Sequence, residues 1–244
     1  MKKFILTSCL CVLCISSVSS AVFEPYQGDD HKMHYPQLPD PTGWDVGFVM
    51  QEVADDWLCS GTGPVSDIHA WYSWQNDYEG IINDVFVRIY SDTPDPDGDG
   101  PLYSQPNQLL WERHFTDFSA VWYGSGDQGW YEPYDGQWNL SDHDKYYQIS
   151  IMDINDPFIQ EQGTIYWLSL QVSVDEPSNA GWKTTQNHWN DDAVYRSVTG
   201  GWVELIDPIT QESMDVAFVI APEPATIALL GFASLSLIHR KRKV

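Results

Sequence analysis

The ten residues Ser91-Asp92-Thr93-Pro94-Asp95-Pro96-Asp97-Gly98-Asp99-Gly100 hold the clearest metal-binding pattern in the chain. Asp95, Asp97, Asp99 and Gly100 match the first, third, fifth and sixth positions of a calcium loop, where alternate carboxylates converge on one hard cation and glycine permits the sharp bend. The position for a bidentate glutamate is Pro106, so an EF-hand is excluded. With Asp92 or backbone carbonyls added, the spacing describes an incomplete site for weak Ca2+ binding; the competing reading is an acidic hairpin turn. A second stretch, Gly181 to Tyr195, is the densest mixture of polar and aromatic side chains. Trp182 and Trp189 offer ligand-binding faces, and Lys183, His188, Asp191 and Asp192 have the types for an acid–base set. Asp55-Asp56 adds an acidic pair. Glycoside hydrolysis needs two carboxyls about 5–10 Å apart, a condition some pair meets by chance in a chain with 35 acidic residues. There is no nucleophile elbow, zinc-type His-Glu-x-x-His spacing or phosphate loop. No catalytic residue is assigned.

These residues sit on a chain that reads as strands and turns. Short alternating runs cover Trp44–Met50, Asp67–Trp74, Val85–Tyr90, Leu109–Phe115, Tyr146–Met152, Thr164–Val174, Trp202–Ile206 and Met214–Ile220. In Asp67–Trp74 one face is Ile68, Ala70, Tyr72 and Trp74, the other His69, Trp71 and Ser73. Punctuation such as Gly61-Thr62-Gly63-Pro64 and Gly124-Ser125-Gly126-Asp127 separates the runs. No sustained helical period occurs in the body. The pattern predicts an all-β fold, an antiparallel, jelly-roll-like β-sandwich over residues 43–221. Residues 22–42 read as a lead-in without apolar periodicity. Trp44-Asp45-Val46-Gly47-Phe48-Val49-Met50 echoes Met214-Asp215-Val216-Ala217-Phe218-Val219-Ile220, which suggests first and last strands in similar, neighbouring settings. All twelve tryptophans and thirteen tyrosines lie in the body. Many must be core, and those in turn-like context (Trp122, Trp130, Trp138, Trp189) are candidates for stacking on sugar rings. The net charge of −23 understates the body's acidity, because six of the twelve basic residues lie in the two termini. Such a field repels nucleic acid and anionic lipid and favours cations and neutral ligands.

Both ends carry addresses. Lys2 and Lys3 precede an apolar run from Phe4 to Ile15 and then small residues to Ala21, the pattern of a secretory signal peptide (residues 1–21) cut by signal peptidase after Ala21. Cys9, Cys11 and Cys14 leave with it, so the body keeps Cys59 alone and forms no internal disulfide. At the other end, the uncharged run Ala225–Ile238 would reach roughly 21 Å as a helix, short of the ~30 Å hydrocarbon core. Arg240, Lys241, Arg242 and Lys243 can snorkel to the headgroups and hold that end on the cytoplasmic side. Pro222 and Pro224 stop the helix from extending backwards and leave Glu223 in an extended segment a protease can grip.

The order Pro222-Glu223-Pro224, short apolar helix, basic cluster (residues 222–244) resembles the PEP-CTERM sorting signal of Gram-negative bacteria. One departure is Ala221, where many members have Val. The resemblance implies processing by an exosortase at the inner membrane and delivery to the cell surface or the exopolysaccharide matrix. The body is similar to an uncharacterised domain of exported planctomycete and related bacterial proteins. The likeness is carried by Ala54-Asp55-Asp56-Trp57-Leu58-Cys59, Gly63-Pro64-Val65-Ser66-Asp67-Ile68-His69, Gly163-Thr164-Ile165-Tyr166-Trp167-Leu168, Gly181-Trp182-Lys183-Thr184, Trp189-Asn190-Asp191-Asp192-Ala193-Val194-Tyr195 and Met214-Asp215-Val216-Ala217-Phe218-Val219-Ile220. That family supplies no activity to carry over. The expectation is a non-catalytic, exopolysaccharide-associated surface protein. The alternatives are a carbohydrate-active enzyme (glycoside hydrolase or lyase-like) using Asp191, Asp192 or His188, and a purely structural surface or adhesion protein.

Overall fold

The computed structural model describes residues 33, 36–49, 51–94, 103–190 and 192–221. The signal peptide, Asp95, Asp97, Asp99, Asp191, the Pro222-Glu223-Pro224 motif and the basic residues Arg240 to Lys243 lie outside the described residues. Among the described residues no helix is long and apolar enough to cross a membrane.

The described chain is all-β. In order the strands are β1 (Trp44–Gly47), β2 (Val53–Leu58), β3 (Gly63–Pro64), β4 (Asp67–Trp74), β5 (Ile82–Thr93), β6 (Gln105–Phe115), β7 (Ser119–Glu132), β8 (Gln137–Ile151), β9 (Ile159–Gln160), β10 (Ile165–Val174), β11 (Ala180–Lys183), β12 (Val194–Arg196), β13 (Trp202–Glu204) and β14 (Phe218–Ala221). One sheet runs β11-β1-β7-β8-β4-β14 and a second β13-β12-β2-β10-β5-β6, while β3 and β9 form a two-stranded pair. The two large sheets share one core. Trp57 of β2 meets Phe218 of β14 edge-on with centroids 6.4 Å apart, and Trp182 of β11 meets the same ring at 6.2 Å. Each such ring removes a large apolar area from water, a burial worth about 1.5–3 kcal/mol per side chain.

β11 also pairs with β4, so β4, β11, β1, β7 and β8 close a ring. This explains why every residue of β4 is buried. Ile68, Ala70, Trp71, Tyr72 and Trp74 all belong to the core cluster, Trp71 meeting Tyr123 edge-on, while Ser73 beside it donates to Gln128 at 3.2 Å. The interior on the Ser73 side is polar. Asp45 Oδ2 accepts from Lys183 Nζ and from His143 Nε2, both at 3.0 Å, and His143 Nδ1 lies 3.0 Å from Asp142 Oδ1. Burial opposes the charge on Asp45, but Lys183 and His143 outweigh it and hold the carboxyl below its ordinary value. Burial likewise opposes the His143 cation, and Asp45 with Asp142 raises its pKa nonetheless. Burial pulls Lys183 down.

Three details depart from the sequence reading. The sheet is not wholly antiparallel: β1 runs parallel to the far end of β7. β7 reaches it because register shifts after Trp122, Ser125 and Gln128 bend the β7–β8 ribbon. Gly124 and Gly126, read as punctuation, therefore lie inside β7. A β-carbon on Gly126 would sit 1.8 Å from the Pro41 carbonyl oxygen, so glycine there permits close approach. The echoing segments do not lie side by side, because β11 intervenes: Lys183 pairs with Asp45 and accepts the Ala217 amide on its carbonyl. Finally, described parts of the lead-in pack: Met33 is fully buried and bridges to Cys59, and Gln37 bridges to Phe218.

Candidate functional site

The Gly181–Tyr195 stretch divides by depth. Trp182 is fully buried and donates its indole N–H to the Ala217 carbonyl at 2.8 Å. Lys183, equally buried, is committed to Asp45. Strand β11 ends there, and the chain emerges at Gln186. His188 is half exposed. Its Nδ1 stands 3.8 Å from Asp192 Oδ1 and 3.7 Å from Asp215 Oδ1, distances too long for hydrogen bonds. Asp215 comes from the apolar segment leading into β14, and its Oδ2 accepts the Trp189 amide at 2.9 Å. Asp55 lies behind, with Oδ2 accepting from Gln37 Nε2 and the Val216 amide, each at 2.8 Å. Burial, Asp215 and Asp56 push the Asp55 carboxyl well up. Burial also raises Asp215, against the pull of His188 and the Trp189 amide. The structure thus brings His188 and Asp192 together and leaves Trp182 and Lys183 to the interior. Of the calcium-loop residues, Asp92 is described, and its Oδ1 accepts the Trp167 indole N–H at 2.9 Å.

A cleft of about 580 Å3 opens at the β7–β8 turn, lined by Val49, Gln51, Gln75, Glu132, Tyr134, Asp135, Gln137 and Asn179. The turn explains its rim. Gly136 adopts φ +71°, a left-handed value suited to glycine, and its amide donates to the Glu132 carbonyl at 2.9 Å. Asp135 Oδ1 accepts the Gln137 amide at 3.1 Å, an Asx-type closure. Tyr134 is left 60% exposed at the tip. On the wall, Glu132 Oε1 accepts from Asn179 Nδ2 at 2.8 Å and from Trp130 Nε1 at 3.1 Å. Burial raises the Glu132 carboxyl despite those donors. Gln51 is buried, and its Oε1 accepts no hydrogen bond from the described residues. Planar amides and carboxylates beside an exposed aromatic ring suit a neutral polyhydroxylated ligand: the amides donate and accept to vicinal hydroxyls, and the ring stacks on C–H faces.

The sequence pointed to none of Gln51, Glu132, Tyr134 and Asn179 as a group. They come from three stretches of the chain, at 51, 132–134 and 179, that only the fold brings together. Of the turn-context tryptophans, Trp122 and Trp138 are exposed, whereas Trp130 is buried and serves Glu132.

No curated protein and no solved structure matches the chain. Residues 33–221 match the model of a domain of unknown function, DUF7901, a span that takes in both sheets and both clusters of polar residues. The chain therefore belongs to the DUF7901 family.

Proposed function

We propose that this chain is an exported surface or matrix protein whose jelly-roll-like β-sandwich binds polysaccharide, without cleaving it, in the cleft at the β7–β8 turn. The observation that carries this reading is the cleft itself: four amides, two carboxylates and one exposed tyrosine around about 580 Å3. The acidic body excludes phosphate-bearing polymers and leaves neutral or cation-bridged glycans. The amino-terminal pattern supports export through signal peptidase. The Pro222-Glu223-Pro224 tail supports exosortase processing at the inner membrane and delivery to the surface of a Gram-negative-type cell. The test of binding is a glycan array probed with the full-length chain, Tyr134→Ala and Gln137→Ala. Binding that weakens in both variants supports the reading; no glycan bound, or equal binding in the variants, leaves a structural or adhesion role. The test of sorting is fractionation of cells expressing the chain with and without residues 222–244. An unchanged distribution rejects the tail's role.

One observation favours a carbohydrate-active enzyme as second reading. Glu132, whose carboxyl burial pushes up, shares the cleft with Asp135, and a pair of carboxyl groups is what glycoside hydrolysis uses. Release of reducing sugar from a bound glycan, abolished in Glu132→Gln, would establish it.

A further inference from the structure

We propose that His188, Asp192 and Asp215 form a binding site for a divalent transition-metal cation of the Zn2+ or Mn2+ class. Their ligand atoms all lie within 4.8 Å of one another. Ligands at 2.0–2.2 Å from a tetrahedral ion stand about 3.4 Å apart, so the two histidine–carboxylate separations of 3.7 and 3.8 Å need a few tenths of an ångström of closure, and the carboxylate–carboxylate separation, within 4.8 Å, needs up to about 1.4 Å. The half-exposed His188 and the partly exposed Asp192 can supply that movement.

A second observation points to a ligand independently of the cluster. Asp215 is fully buried, and the Trp189 amide fixes its Oδ2, so that Oδ1 is turned toward the imidazole 3.7 Å away and accepts no hydrogen bond from the described residues. A buried carboxylate oxygen in that condition costs about 1–3 kcal/mol or more, and a cation in front of it removes the cost. The surroundings are acidic too: Asp55 and Asp56 stand behind Asp215, and burial together with the Asp215 and Asp56 charges pushes the Asp55 carboxyl up. The donor set decides the cation class. One imidazole with two carboxylates suits Zn2+ or Mn2+, whereas Ca2+ and Mg2+ prefer oxygen alone. His188 also lines a groove of about 330 Å3 with Thr184, Thr185, Asp207 and Glu212, from which the ion and a completing water would enter. Binding would tie the loop after β11 to the segment entering β14.

The test uses full-length chain without a histidine tag, stripped with EDTA and titrated calorimetrically with Zn2+ and with Mn2+. Excess Ca2+ is present to occupy the general acidic surface and any site around Asp92. One cation per chain is expected. His188→Ala and Asp192→Asn should each weaken binding by at least about tenfold, since even supporting residues of a metal site contribute that much. Asp215→Asn should do the same, and because it can disturb folding the two more exposed variants decide. No binding, displacement by Ca2+, or unchanged affinity in both His188→Ala and Asp192→Asn would overturn the site.

Discussion

Asp45, Lys183 and His143 show how a single residue's setting decides its role. Lys183 has the type and sequence neighbours of a catalytic lysine, yet it lies in a sealed interior opposite Asp45 on the adjacent strand. Removing one partner of a buried pair leaves the other charge desolvated, at about 3–5 kcal/mol. Lys183→Met should therefore lower stability by that order in urea unfolding, and Asp45→Asn/Lys183→Met together should cost less than the sum. Two buried histidines give opposite pH limbs. His143 is raised, so its contribution is complete below the ordinary value of about 6.5 and fades as pH rises through its folded value. His69, with its Nδ1 2.8 Å from Ser150 Oγ, is pushed down by burial to about 3. Its neutral form stabilises the fold fully above about 6.5, and that contribution is lost as pH falls toward 3, at up to about 1.4 kcal/mol per unit. Unfolding free energy measured from pH 5 to 8 should show a flatter alkaline limb in His143→Gln and a flatter acid limb in His69→Gln.

At the scale of elements, period-two alternation was legible wherever one face met the core. Val85, Val87 and Ile89 of β5 are fully buried while Phe86 and Arg88 are only partly so, whereas β4 is buried throughout and shows no such alternation. β7 was illegible because its glycines serve close approach rather than turning. Gly124 meets the Tyr146 hydroxyl, Gly126 the Pro41 carbonyl and Gly129 the Trp44 ring. Gly126→Ala should accordingly destabilise by about 1–3 kcal/mol or more, as overpacking does, while Gly61→Ala, with nothing within 4 Å, should be near neutral. Thermal unfolding of the two variants compares them directly. The sites were only half legible for a related reason. His188 and Asp192 stand out in a polar stretch, but Asp215 hides in an apolar strand-like run, and the cleft draws on residues from Gln51 to Asn179 that topology alone assembles.

Over the whole molecule, composition foretold the class better than the wiring. Many short runs with polar turns implied an all-β body, and the described residues are all-β. Nothing local in the sequence announced the parallel β1–β7 pair or the ring it completes, since both depend on which strand arrives beside which. A net charge of −23 on the chain, still more negative over the body, is self-repelling. Raising monovalent salt shortens the Debye length from about 30 Å at 0.01 M to about 8 Å at 0.15 M, so Tm should climb over that range. A fall would mean that the partly exposed pairs Arg88–Glu52, Arg88–Glu112 and Arg196–Glu52 outweigh the general repulsion.

The carboxylate of Asp45 finds its counter-cation 138 positions later in the chain. Until Lys183 has been synthesised, a nascent polypeptide has only His143 to set against that anion, and β1 has only one of its two flanking neighbours. Unfinished chains thus have no half-built version of this body to settle into. Release of a truncated product should yield protease-sensitive material, which makes completeness itself a condition of survival.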